Sequence, residues 1–195
     1  MKPILLLLTL LAGLTASWAG TITGKIKCRA SLDHSNAVIY AEKIFKESVS
    51  PPKNPVVLDQ INLTFVPHVL PVVAGTTVSF PNSDEVRHNV FSPSPAKRFN
   101  LGTYPRGVTR QVTFDKPGEV ALLCNVHVEM SAYVLVLETA YSAVSATDGS
   151  YSLKNLPSGK YTVTAWHERF RSVSQPVEIK GTETVPLNFD LRARR

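Results

Sequence analysis

Residues 119–137 read Glu119-Val120-Ala121-Leu122-Leu123-Cys124-Asn125-Val126-His127-Val128-Glu129-Met130-Ser131-Ala132-Tyr133-Val134-Leu135-Val136-Leu137. Two β-branched and aliphatic runs flank a short polar stretch that carries a cysteine, a histidine and a methionine at three-residue spacing. Leu122 and Leu123 end one apolar strand and Tyr133 opens the next. One short loop therefore presents a thiolate, an imidazole and a thioether. A single loop does not readily close a four-donor site, so a further ligand is expected from another strand. His88, in Asp84-Glu85-Val86-Arg87-His88-Asn89-Val90-Phe91, supplies a second imidazole.

Two histidines and one cysteine around a metal, with a weak axial methionine, form the donor set of a copper electron-transfer site. Soft sulfur favours Cu(I), while the imidazoles also accommodate Cu(II). The expected cofactor is one copper ion, cycling between Cu(I) and Cu(II), on His88, Cys124, His127 and Met130. His88 by itself reads equally well as a turn histidine. Met130 by itself reads as core packing. It is the shared spacing that makes them ligands.

Working outward, short period-two runs recur at residues 21–27, 37–40, 75–80 and 108–114. No long 3.6-residue apolar repeat competes with them, and Pro and Gly turns separate them, so the expected class is all-β. The 14 prolines agree, since proline suits turns and edges better than helix interiors. Residues 41–45 suggest a short helical turn, and residues 48–54 a linker. Beyond residue 138 the texture changes. Thr147-Asp148-Gly149-Ser150 and Pro157-Ser158-Gly159 supply turns between strands of a compact β-meander.

Lys2, the apolar run 4–12 and the small residues Ser17 and Ala19 read as a secretory signal peptide cut after Ala19. That places the protein in the periplasm or otherwise outside the cell. The run is short for a bilayer span, and no second one follows, so no transmembrane segment is expected in the mature chain. The chain has 21 Lys and Arg against 15 Asp and Glu, and only Lys2 is lost on cleavage. The remaining excess, about +5, favours an acidic redox partner or one associated with an anionic membrane face. Nucleic acid is not expected: apart from Arg192-Ala193-Arg194-Arg195, the basic residues are scattered and no aromatics interleave with them.

Enzyme chemistry finds little support, so no catalytic residues are expected. The chain has no Gly-x-Ser-x-Gly elbow, no His-Glu-x-x-His helix and no Gly-rich phosphate loop. Five histidines leave little room for a second copper cluster. His34 lies in a polar turn, His68 reads as peripheral, and His167 follows Trp166 at a strand end as a structural residue. Cys28 shares a strand face with Ile22, Gly24 and Ile26. A buried free thiol is the plain expectation there. A disulfide to Cys124, an intermolecular bridge or a weak metal contact are the alternatives.

Residues 56–137 resemble a cupredoxin, the small blue-copper Greek-key sandwich of plastocyanin, pseudoazurin and amicyanin. The resemblance rests on Asn62-Leu63-Thr64-Phe65-Val66-Pro67, on Leu70-Pro71-Val72-Val73-Ala74-Gly75-Thr76-Thr77-Val78-Ser79-Phe80-Pro81-Asn82-Ser83-Asp84, on His88-Asn89-Val90, and on the amicyanin-like spacing from Cys124 to Met130. It implies that the Asn89 side chain ties the two ligand loops together, that His127 is the ligand nearest the surface, and that Val126 and Val128 form a docking patch. The flanks resemble a carboxypeptidase regulatory-like, transthyretin-type β-sandwich. Its opening strands are expected in residues 20–47 and its remainder in 139–195, with 56–137 inserted between them. The alternative is a tandem arrangement in which 20–47 completes the cupredoxin. Similar two-part proteins are labelled methylamine-utilisation or plastocyanin-like proteins. The resemblance implies one-electron carriage between redox partners; copper delivery, or a structural module with a vestigial site, are the competing readings.

Overall fold

A computed structural model describes residues 19–29, 31, 33–43 and 49–194. The expected signal peptide lies outside the described residues except for Ala19, which begins the first strand. The strands are β1 (Ala19–Cys28), β2 (Val38–Lys43), β3 (Val56–Val57), β4 (Asp59–Ile61), β5 (Thr64–Val66), β6 (Val69–Val73), β7 (Thr76–Pro81), β8 (His88–Ser92) and β9 (Phe99–Tyr104). There follow β10 (Thr109–Phe114), β11 (Gly118–Leu123), β12 (Ser131–Leu137), β13 (Ser142–Val144), β14 (Ser150–Pro157), β15 (Gly159–His167), β16 (Phe170–Ile179), β17 (Thr184–Pro186) and β18 (Phe189–Leu191). Where a helical turn is expected, Ala41–Lys43 instead continue β2, because their alternation feeds a ladder with β15. Ile44 and Phe45 lie outside the described residues.

Strand pairing sorts the described chain into two sets. β3 and β6–β12 form a three-stranded sheet, β10-β7-β3, and a five-stranded sheet, β6-β12-β11-β8-β9, with the hairpin β4-β5 beside them. Leu58, Phe65, Phe80, Phe114, Leu122 and Val134 fill the core of this set. β1 pairs with β14, β17 and β18, while β13-β2-β15-β16 forms the facing sheet. Ile22, Ile26, Ile39, Tyr161, Val163 and Leu191 fill that second core. Among the described residues, no strand of 19–43 pairs with a strand of 56–137.

Two mid-strand prolines sit at sheet edges: Pro71 lies in β6 and Pro176 in β16, both edge strands, where a missing N–H is tolerated. Gly149 is needed for the turn before β14. Its φ is +80°, and a Cβ there would stand 2.1 Å from the Ile26 carbonyl oxygen. The Gly149 carbonyl in turn accepts the Ile26 N–H at 2.8 Å.

β12 explains how the two sets meet. Its run Ala132-Tyr133-Val134-Leu135-Val136-Leu137 alternates, yet both faces are apolar. Ala132, Val134 and Val136 enter the first core. Leu135 and Leu137 enter a separate cluster with Val38, Val69 and Trp166, edged by Tyr40 and Tyr133. Each such side chain contributes about 1.5–3 kcal/mol on burial. Trp166 also donates its Nε1–H to Glu119 at 3.1 Å, and Arg194 reaches the same carboxylate at 3.3 Å. The second sandwich is thus seated on the outer face of β6, β11 and β12.

Candidate metal centre

β8 begins at His88, and β11 ends at Leu123, one residue before Cys124. The two strands are antiparallel neighbours, so the start of one lies beside the end of the other. β12 then leaves from Ser131, paired with Leu123. Loop 124–130 is therefore closed at its base by one cross-strand pair and opens at the His88 end of the sheet.

The side chains converge accordingly. One ligand atom from each of His88, Cys124 and His127 lies within 4.8 Å of the others. His88 and Cys124 are buried, and His127 is partly exposed. Cys124 is a free thiol, and its Sγ accepts the Val126 N–H at 3.4 Å. His88 Nδ1 and His127 Nδ1 face each other at 3.0 Å. Two nitrogens bound to one ion at about 2.0–2.1 Å each stand roughly 3.3 Å apart at a tetrahedral angle. The donor set and its burial therefore fit a soft or borderline metal ion. Met130 is buried in the same core as Cys124, and its N–H donates to the His127 carbonyl at 3.1 Å.

Two residues without an assigned role in the sequence reading orient His88. The Asp84 carboxylate accepts His88 Nε2–H at 3.0 Å, which leaves Nδ1 bare and turned towards Cys124 and His127. The Leu63 amide first, and the His88 ring after it, hold the Asp84 carboxyl below its ordinary range. Asn82 shapes the turn that carries Asp84. Its Nδ2 donates to the carbonyls of Val86 and Tyr104, and its Oδ1 accepts the Asp84 N–H at 3.0 Å. Behind it, Gln60 Nε2 donates to Tyr104 OH, which donates to the Phe80 carbonyl; burial pushes that phenol up to about 12. Asp84 was findable in the sequence, as a carboxylate four residues before a candidate ligand.

The remaining expected residues sort clearly. Asn89 is buried on β8, but its Nδ2 donates to Asn100 Oδ1 on β9 at 2.8 Å, and its Oδ1 is a buried acceptor without a partner. Val126 and Val128 are 46% and 90% exposed, and Val86 and Leu63 are also exposed. Cys28 is a free thiol buried in the second core, where burial pushes its pKa up, so it does not cross-link Cys124. His34 Nδ1 accepts the Cys28 N–H at 3.3 Å. His68 stands outside the three-residue cluster and bonds elsewhere, to Ser131 and Glu168. Among the described residues, no helix is long and apolar enough to cross a membrane.

Comparison with known proteins bears on both sets of strands. Residues 125–192 match the carboxypeptidase regulatory-like domain family. That match takes in β12, which is paired within the first set, and leaves out β1 and β2, which are paired within the second. No curated protein matches the chain. Among solved structures, a purple cupredoxin from Nitrosopumilus maritimus aligns at 23% identity over 42% of this chain and 99% of its own, with a TM-score of 0.39. Amicyanin from Paracoccus versutus aligns at 23% identity over 49% of this chain and 99% of its own, with a TM-score of 0.40. A copper-containing nitrite reductase from Thermus scotoductus aligns at 26% identity over 50% of this chain and 26% of its own, with a TM-score of 0.43. The architecture is all-β and multi-sheet, with two sets of packed strands, and residues 125–192 are similar to the carboxypeptidase regulatory-like domain family.

Proposed function

We propose that the chain is an exported mononuclear copper protein that carries single electrons between redox partners, and that it is not an enzyme. The convergence of His88, Cys124 and His127, two of them buried, at one end of a rigid sheet carries this reading. Met130, buried beside them in the same core, is the fourth donor. Bound copper would supply one-electron exchange between Cu(I) and Cu(II).

The chain's own residues do the rest. Asp84 holds the His88 ring with Nδ1 free, and the Val126 amide tempers the charge on Cys124 Sγ. A ligand set fixed by two strand ends needs little rearrangement between oxidation states. Partly exposed His127, between exposed Val126 and Val128, is the side chain that a docked partner meets. The partner is another redox protein, met in the periplasm or outside the cell. In this reading the copper unit, residues 56–137, is inserted into the sandwich built from 20–47 and 139–195. Insertion into a host loop is tolerated where the host ends lie close together.

The test is the visible spectrum after adding Cu(II) to the reduced thiol form, repeated with Cys124→Ser. An intense thiolate-to-copper band, lost in the variant, supports the site. A folded wild-type protein without that band sinks the reading. Transfer of metal rather than of an electron to an acceptor protein would replace it with copper delivery.

A further inference from the structure

His68 reads as peripheral in the sequence, and the structure gives it a position between the two sandwiches. It lies between β5 and β6, and its carbonyl accepts the Tyr133 N–H at 2.9 Å. Its Nδ1 lies 3.1 Å from the carbonyl oxygen of Ser131, and its Nε2 lies 3.0 Å from Glu168 Oε1. One ring thus stands within hydrogen-bond distance of both groups. The ring also packs edge-on against Tyr133, 5.9 Å between centroids. The His68 side chain is 30% exposed and that of Glu168 18%.

The location gives this chain of bonds its meaning. Ser131 directly follows Met130 and pairs with Leu123, so it is one of the two feet of the ligand loop. Glu168 belongs to the turn between β15 and β16 of the second sandwich. A carboxylate on one sandwich thus grips a foot of the metal loop on the other, through one imidazole.

We propose that Glu168, acting through His68, is a positioning residue for the metal loop: the second sandwich sets where Met130 stands relative to His88, Cys124 and His127. This rests on the reading of Met130 as the fourth donor. It assigns the second sandwich a role in tuning the metal rather than only in meeting partners. Loosening the grip removes one restraint on Ser131, which stays paired with Leu123, and lets the thioether shift, while His88 and Cys124 stay held at the ends of β8 and β11.

The full chain contains two methionines, Met1 and Met130, so [13C]methyl-methionine labelling gives a near-private probe. Met130→Leu identifies its signal. In metal-free protein, Glu168→Ala is expected to shift the Met130 methyl resonance by more than its linewidth, and Glu168→Gln, which keeps an acceptor oxygen, to restore most of it. In copper-loaded protein the same substitution is expected to shift the reduction potential while the thiolate band survives. Arg194→Ala breaks a contact to Glu119 across the same interface and is expected to leave the Met130 signal in place. A Met130 signal unmoved by Glu168→Ala overturns the proposal, as does an equal shift in Arg194→Ala. Because the metal-free signal is read without copper, a missing thiolate band in the wild type counts against the copper reading alone.

Discussion

The two sandwiches treat buried polar groups in opposite ways. In the second, Thr139, Ser145, Thr164 and His167 are buried and each has a partner: Thr139 Oγ1 donates to the Ala41 carbonyl, Ser145 Oγ to that of His34, Thr164 bonds Ser174, and His167 Nδ1 accepts the Arg169 N–H. In the first, Gln60, Thr76, Asn82, His88 and Asn89 are buried, and Gln60 Oε1, Thr76 Oγ1 and Asn89 Oδ1 have none. An unpartnered buried acceptor costs about 1–3 kcal/mol. Of these, Asn89 directly follows His88 and Gln60 bonds Tyr104 behind the ligand turn, whereas Thr76 opens β7 at its opposite end.

The contact that joins them is the first place to break the comparison. Trp166 is buried among Val38, Val69, Leu135 and Leu137 and belongs to neither main core. Trp166→Ala is expected to remove about 3–5 kcal/mol, the usual range for deleting a buried aromatic. The loss should fall on the coupling, so calorimetry should resolve two transitions, with the thiolate band following only one. A single transition with a loss below about 1 kcal/mol would mean that the interface contributes little.

A smaller effect sharpens the contrast within the first unit. Asn82→Ala removes two donated bonds and the acceptor that holds the Asp84 amide. It is expected to lower stability by about 1–3 kcal/mol. Metal affinity should fall by about 10-fold or more, because Asp84 then no longer fixes the His88 ring. Competition against a Cu(I) chelator reads the affinity, and amide exchange across residues 150–191 should be unchanged. Unaltered affinity would show that His88 orients itself without the turn.

How much of this was legible in the sequence depended on how local the signal was. β1, β2, β7, β10, β11 and β12 announce themselves by period-two runs, and the loop ligands by their spacing. β16 does so only at its end, Val177-Glu178-Ile179: it is an edge strand whose Arg171, Ser172, Ser174 and Gln175 disguise the alternation of its half-buried face. Residues 41–43 looked helical because Glu42 and Lys43 are good helix formers, and pairing with β15 overrode that preference. His68 was read as peripheral because its partners come from 63 and 100 residues away. Asn89 followed a family pattern, whereas in this chain its amide finds Asn100, only 11 residues on. Three ligands cluster in one loop and Asp84 stands four residues before the fourth, whereas the partners of His68 are brought together only by the fold.

The last and smallest effect tests whether the second sandwich is as settled as its satisfied bonds suggest. His167 is 4% exposed, its Nδ1 accepts the Arg169 N–H, and burial pushes its pKa below the ordinary 6.5. A lone pair turned to an amide and a buried ring both favour the neutral form. The unfolded chain therefore binds a proton at mildly acidic pH that the folded chain refuses. Stability from this residue is complete above about pH 6.5 and is lost as pH falls from there towards the lower folded value, with a slope of at most about 1.4 kcal/mol per pH unit for one proton. His167→Gln keeps an acceptor for the amide but cannot titrate, so urea unfolding at pH 7, 6 and 5 should show the wild type losing stability faster than the variant. Parallel losses would place the proton elsewhere. A steeper wild-type loss would mean that this unit, whose buried polar side chains among the described residues are bonded, still carries an acid-sensitive point two residues from the arginine that closes its turn.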